Sequence, residues 1–227
     1  MSDPAPSQIT RIILVRHGQS VANAGGTPPD HITNPLTELG REQAKAFAEG
    51  FDCKPTLFLV SPFLRARQTA EPLLRRFPDV PVEEWPIHEF TYLDPARHNG
   101  TNEEQQMPAI LKYWQLLDPA YIAGPGAESF TQFLDRARES IRRLARIAPG
   151  GCIVVFTHGF TMQAVRLLLL FPNATDAELM SNFRRFHSSN FIENAESLEF
   201  EVRGDRMKLV GQPYLNAFTL LGENSHA

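Results

Sequence analysis

The sequence predicts an α/β fold: a three-layer sandwich with a mainly parallel sheet, helices on both faces, an antiparallel C-terminal edge hairpin and an inserted cap. Three observations carry that expectation. Short, β-branched apolar runs recur at residues 11–15 (RIILV), 56–60 (TLFLV) and 152–157 (CIVVFT). Runs that are apolar at successive positions belong to strands covered on both faces. Segments of helical spacing lie between them, as parallel strands require. Near the end, residues 197–203 and 206–210 flank Gly204-Asp205 in the alternating pattern of a hairpin.

The remaining elements follow in order. Residues 16–35 hold Gly18, Gly25, Gly26, Pro28 and Pro29 and read as loop. Thr37 caps a helix running to about Glu49, with Ala44, Phe47, Ala48 and Phe51 on one face. After the second strand, Ser61 and Pro62 read as N-cap and first residue of a helix carrying Phe63, Ala66, Ala70, Leu73 and Phe77. Pro72 is expected to kink it. Residues 80–85 read as a short third strand. Residues 86–126, rich in Pro, Asn, His and aromatics, carry one helix signal from about Asn102 to Leu117. Residues 127–147 form an amphipathic helix with Phe130, Phe133, Leu134, Ala137, Ile141 and Leu144 along one stripe, stopped by Pro149-Gly150-Gly151. Residues 159–171 and 176 to about 187 read as two more helices. With neither repeat nor linker, the expected organisation is one domain over 1–227, with a flexible tail over 1–9 and a cap over about 86–126.

The composition is that of a globular protein, 42% hydrophobic and 21% charged. A formal net charge of -4 gives no general attraction to nucleic acid or to an anionic membrane. The N-terminal stretch MSDPAPSQIT has neither the basic nor the apolar region of a secretory signal, and the longest apolar runs fall far short of a membrane span. Cys53 and Cys152 fit no metal or redox spacing and read as free thiols in a reducing compartment. The expected location is the cytoplasm.

In an open parallel sheet, ligands sit beyond the carboxyl ends of the strands. Two of the expected strands end in a histidine followed by glycine: RIILV runs into Arg16-His17-Gly18, and CIVVFT into His158-Gly159. The strand TLFLV runs into the helix that carries Arg65. Topology thus brings His17, His158, Arg16 and Arg65 to one sheet edge. Such a gathering of cationic and cationisable groups calls for an anion, and a phosphoryl group suits it.

The segment LVRHGQSVAN resembles the signature of the histidine phosphatase superfamily, the phosphoglycerate mutase-like family. SPFLRARQTA is similar to its second arginine motif, FTHG to its second histidine motif, and HEF to the segment holding its acid. The likeness runs from residue 11 to about 215, with the motifs in the family's order.

That resemblance implies roles. His17 attacks phosphorus through a neutral ring nitrogen, giving phosphohistidine, while the other nitrogen donates to a backbone carbonyl and fixes the tautomer. Arg16 and Arg65 clamp the phosphoryl oxygens, and Arg67 faces solvent. His158, at least partly protonated, stabilises charge on the transferring group. Gly18 and Gly159 let backbone approach the phosphate, and Asn23 contacts it. Glu89 is the general acid and then the base, with Glu83 and Glu84 as nearby alternatives.

After His88-Glu89-Phe90 the chain reads TYLDPARHNG, which departs from the family's commonest pattern and resembles one branch of it. Tyr92, His98, Asn99 and Tyr121 either line a pocket in the cap or form its aromatic core. Residues 127–130 resemble a helix start of the family, with a structural role.

Three activities share these motifs. One is hydrolysis of a small phosphomonoester, with no metal and no cofactor. Another is phosphate transfer within a phosphoglycerate-like substrate, and the last is non-enzymatic phosphate binding. The segments that mark cofactor-dependent mutases near the acid are not recognisable, which favours hydrolysis. The presence of both His17 and Glu89 speaks against a bare scaffold. No sequence pattern specifies an oligomeric state.

Overall fold

The structure, a computed structural model, describes residues 9–147 and 150–211. The expected tail falls almost wholly outside them, as does Pro149 of the expected helix stop. Along the chain lie β1 (Thr10–Arg16), α1 (Glu38–Gly50), β2 (Leu57–Val60), α2 (Leu64–Arg76), β3 (Val82–Glu84), α3 (Pro95–His98), α4 (Glu103–Leu116), α5 (Phe130–Arg146), β4 (Gly151–Thr157), α6 (Gly159–Leu170), α7 (Asp176–Ser189), β5 (Ser197–Arg203) and β6 (Arg206–Leu209).

The strands form one sheet in the order β3-β2-β4-β1-β5-β6. The first four in that order are parallel, and β5 and β6 add the antiparallel edge. The apolar runs are explained by burial on both sides. Ile13, Val15, Phe58, Val60, Val154 and Phe156 point to the face covered by α1 and α2, where Ala48, Ala70 and Leu73 meet them. Their neighbours Ile12, Leu14, Leu59, Ile153 and Val155 point the other way, to Leu144 of α5 and to Met162 and Val165 of α6. No helix among the described residues is long and apolar enough to cross a membrane.

A second, aromatic core lies beside the sheet. Phe90, Tyr113, Trp114, Phe130, Phe133 and Phe183 join the chain after β3 to α4, α5 and α7. Phe90 stacks on Phe133 at 4.5 Å, and Trp114 on Phe183 at 5.8 Å. Rings of this size exclude much water and hold fixed relative angles, so the 86–126 segment is anchored as well as draped.

Several boundaries differ from those expected. α2 begins at Leu64 with Phe63 at the cap position, because the Ser61 hydroxyl is engaged elsewhere. It also runs through Pro72 as one element. α5 begins at Phe130, where Ser129 and Gln132 close a capping box. α3 had a local signal, Asp94-Pro95, with Asp94 accepting from Ala96 N–H at the cap.

One contact fixes how α1 meets the loop after β1. A Cβ on Gly40 would lie 2.1 Å from the Gln19 carbonyl oxygen, and one on Gly18 would lie 2.4 Å from the Gly40 carbonyl oxygen. Thr37 N–H donates to that same Gln19 oxygen at 2.9 Å. Alanine normally stabilises a helix over glycine by about 1 kcal/mol. Here the methyl would meet the Gln19 backbone, so Gly40→Ala is expected to reverse that sign. A net loss of roughly 1–3 kcal/mol in urea unfolding is expected, as for overpacked cores. Unchanged or increased stability would show that the two backbones are not locked together.

Candidate active site

Strand register makes the site. Arg16 of β1 stands level with Thr157 of β4, so the next residues, His17 and His158, emerge side by side at the carboxyl end. Their rings are 5.1 Å apart, and both side chains are buried. On the other side of β4, Val60 of β2 stands level with Phe156, which brings Ser61 to His158.

His17 is held from both ring nitrogens. Nδ1 lies 2.8 Å from the Gly18 carbonyl oxygen, which can only accept, so Nδ1 carries the proton. Nε2 accepts from Arg65 Nε–H at 3.1 Å, which requires a lone pair there. Burial pushes the His17 pKa well below the ordinary histidine value, and the Arg65 and Arg16 charges push it further. The imidazole is therefore neutral, with its nucleophilic nitrogen facing a guanidinium.

Gly18 serves this arrangement through packing. Its N–H donates to Thr69 Oγ1 at 3.0 Å, and the space a side chain would need is taken by α1. The room expected there for a phosphate is thus occupied by protein. Thr69 Oγ1 in turn donates to the Arg65 carbonyl at 2.6 Å, tying the histidine loop to the first turn of α2. Gly159 lies against Arg16: a Cβ there would meet Arg16 Nε at 3.4 Å.

Both arginines are buried. Arg65 also donates through Nη1 to the His31 carbonyl at 2.7 Å. Burial lowers its pKa to about 10, still well above neutrality, so the charge stays. Arg16 donates through Nη1 to the Ile192 carbonyl and packs 5.0 Å over the Phe191 ring. Its Nε is buried and has no hydrogen-bond partner among the described residues. A buried donor without an acceptor is costly, and a charged one calls for an anion.

His158 departs from expectation. It was expected to be at least partly protonated, but burial and the nearby Arg65 push its pKa well below the ordinary value, and it is neutral. Ser61 Oγ lies 2.7 Å from its Nε2 and also accepts from Phe63 N–H at 3.3 Å. That contact joins the end of β2 to the imidazole, and Nδ1 on the other side of the ring is buried with no hydrogen-bond partner among the described residues.

Glu89 is carried on a strapped segment. Thr157 Oγ1 donates to the Ile87 carbonyl at 2.6 Å, and Thr161 Oγ1 to the His88 carbonyl at 2.8 Å. Arg136 donates to the His88 carbonyl at 2.7 Å and pairs with Glu128, whose carboxylate accepts from Thr91 N–H at 3.0 Å. Between these anchors the Glu89 carboxylate reaches Phe160 N–H at the start of α6, at 3.1 Å. The alternatives are elsewhere. Glu83 accepts from the Trp85 indole and Glu84 pairs with Arg67, both on the exposed edge strand β3.

A cavity of about 320 Å³ opens over these groups, lined by Arg16, His17, Asn23, Arg65 and Glu89 at one end. Tyr92, His98 and Asn99 line it too, whereas Tyr121 packs against Tyr113 in the aromatic core. Gly18, His158 and Gly159 do not line it; His158 lies beneath His17. Asn23 Oδ1 accepts from Ser20 N–H and from Asn194 Nδ2, at 3.3 and 3.1 Å, which leaves its amide nitrogen as a donor. Asn194 also donates to the His17 carbonyl at 3.0 Å. Ser61, Thr69, Asn194 and the Glu128–Arg136 pair were missed as site residues by sequence reasoning. Among the described residues no three His, Cys, Asp or Glu side chains cluster as metal ligands would.

Comparison with known proteins agrees with this geometry. The family model of the histidine phosphatase superfamily (branch 1) matches residues 12–211. A metal-independent phosphoserine phosphatase of Arabidopsis thaliana is 30% identical over 165 residues, covering 71% of this chain and 69% of its own. An adenosylcobalamin/alpha-ribazole phosphatase of Salmonella typhi is 31% identical over 172 residues, covering 73% and 82%. A mycobacterial glucosyl-3-phosphoglycerate phosphatase, solved with VO3, superimposes with a TM-score of 0.69 at 25% identity, covering 89% of this chain and 98% of that one. With its two strand-end histidines, its paired buried arginines and a family match over most of its length, the chain belongs to the histidine phosphatase superfamily.

Proposed function

We propose that the protein hydrolyses small phosphomonoesters through a phosphohistidine on His17. The observation that carries this is the state of the nucleophile. At the cavity wall the His17 Nε2 lone pair is held by the Arg65 Nε–H, beside a second buried guanidinium, that of Arg16, whose Nε has no partner among the described residues.

A phosphoryl group entering here takes up the Arg16 Nε–H, exchanges with Nε2 for the Arg65 Nε–H, and receives the Asn23 amide. Nε2 then attacks phosphorus as the bond to the leaving oxygen breaks. The Glu89 carboxyl passes its proton to that oxygen and an alcohol departs. Next, Glu89 takes a proton from water, the water oxygen bonds to phosphorus, and the phosphorus–nitrogen bond breaks. Inorganic phosphate leaves and Glu89 is protonated again. His158, neutral and buried with its ring 5.1 Å from that of His17, supports the His17 imidazole from the side. Two guanidiniums supply the charge stabilisation that a metal gives in other phosphatases.

The partner is a small molecule; the cavity volume lies at the low end of the range for small-ligand sites. The two free thiols, Cys53 and Cys152, support a reducing compartment, and we place the enzyme in the cytoplasm.

The acid role of Glu89 is open to a leaving-group test. An alkoxide needs a proton as it departs; a nitrophenolate hardly does. Glu89→Gln is expected to slow phosphoryl transfer from alkyl phosphates by about 10²–10⁴ and from p-nitrophenyl phosphate far less. Single-turnover rates with both substrates, and His17→Ala as the blank, measure this. Equal losses on the two would assign Glu89 to binding, and full turnover by folded His17→Ala would remove the proposed function.

The state of His17 can be read directly. Its folded pKa lies below the ordinary 6.5, so in that interval the unfolded chain binds the proton and the folded chain does not. In ¹⁵N-labelled enzyme the His17 signals are expected to stay those of a neutral, Nδ1-protonated ring as pH falls from 8 through 6. Burial likewise brings His88 and His187 to about 4. Stability is thus complete above about pH 6.5 and falls towards pH 4. A His17 midpoint near 6.5 would contradict the neutral, arginine-held nucleophile.

A further inference from the structure

Beyond the phosphoryl end, the cavity wall bears on what the phosphate is attached to. We propose that the leaving group is a small, uncharged, hydroxyl-rich alcohol, a polyol or sugar, and not a carboxylate-bearing acid; this rests on the phosphatase function above.

Charge is the first reason. Arg16 and Arg65 are the only guanidinium groups lining the cavity, and no lysine lines it, among the described residues. Both are gathered at His17. Arg65 is engaged with His17 and the His31 carbonyl, and Arg16 with the Ile192 carbonyl. Neither is left for a second anion once a phosphoryl group is seated. The lining also carries Asp30 and Glu103. Asp30 is committed to its own loop, accepting from Ile32 N–H at 2.7 Å and Thr33 N–H at 2.6 Å, yet it keeps its negative charge. Glu103 opens α4, and its carboxylate has no hydrogen-bond partner among the described residues. A substrate carboxylate would meet these like charges and, apart from the two arginines at His17, no guanidinium or ammonium group in the lining among the described residues.

Hydrogen-bond supply is the second reason. Gln106 Nε2 is used on the His98 and Thr101 carbonyls and the Thr101 hydroxyl, which leaves Oε1 as an acceptor. Asn99 Oδ1 meets His31 Nδ1 at 3.4 Å, which leaves its amide nitrogen as a donor. With the Glu103 carboxylate, the lining thus offers acceptors side by side with donors such as the Asn99 amide. Hydroxyl groups suit that mixture because each both donates and accepts. Carboxylates only accept.

Shape is the third. Apolar lining is supplied by Phe63, Leu93, Ile110 and the Tyr92 and Phe160 rings, which stack at 6.4 Å and offer a face to the C–H bonds of a sugar or polyol. A cavity of about 320 Å³ holds a molecule of that size.

The test compares kcat/KM for glycerol phosphate and a hexose phosphate with kcat/KM for phosphoglycerate and phosphoserine. p-Nitrophenyl phosphate serves as the common reference. The neutral esters are expected to be favoured by roughly 10-fold or more. Glu103→Lys supplies the missing cation, and is expected to narrow the ratio by at least about 5-fold by improving KM for the carboxylated pair. Equal or better turnover of the carboxylated substrates would overturn the proposal. So would a ratio that Glu103→Lys leaves unchanged. If no ester is hydrolysed, p-nitrophenyl phosphate included, the phosphatase function itself fails and this inference fails with it.

Discussion

Arg16 and Arg65 bring two positive charges out of water beside one imidazole. In so poorly solvated a place each charge is costly, and each raises the cost of the other. Carbonyls of Ile192 and His31 compensate in part, as does the Glu89 carboxylate facing both. The Arg16 Nε remains without an acceptor among the described residues. Burial first, and then these two charges, keep His17 neutral, and the unbalanced positive charge suits a compact anion with several oxygens. The same field therefore favours an anion and sets the state of the imidazole beside it.

Holding such an arrangement requires rigidity around it, and much of the nearby packing supplies that. Thr69 spans from the Gly18 N–H to the Arg65 carbonyl, linking the His17 loop to the Arg65 helix through a single hydroxyl. Gly18 and Gly40 let α1 press against the His17 loop from behind. On the other side, the half-buried Glu128–Arg136 pair and two threonine hydroxyls strap down the segment that carries Glu89. Phe90, next to Glu89, is fixed by its stack on Phe133. The aromatic core thus helps position Glu89 as well as adding stability.

Much of this was legible in the sequence, for a physical reason. Buried parallel strands need unbroken apolar runs, so RIILV, TLFLV and CIVVFT stood out, and ligands gather where such strands end. His17, Arg16, Arg65 and His158 fell at those ends. What stayed hidden depends on contacts between distant segments. Ser61 looked like a helix cap because its local pattern is that of one; its partner His158 lies 97 positions away. Asn194 reaches His17 across 177 positions and has no local signature. The neutrality of His158 follows from burial among cations, which composition and spacing do not encode. The reason for glycine at position 18 was misjudged similarly: the neighbour that forbids a side chain is a helix backbone, seen only once the chain is folded.

The central claim is a covalent bond between phosphorus and His17 Nε2, and trapping it is the most direct test. Enzyme mixed briefly with a ³²P-labelled phosphomonoester and quenched in alkali should carry label on His17. The label should be stable to base and lost in acid, as phosphohistidine is, and absent from folded His17→Ala. Label of undiminished amount in His17→Ala, or label that survives acid, would contradict it.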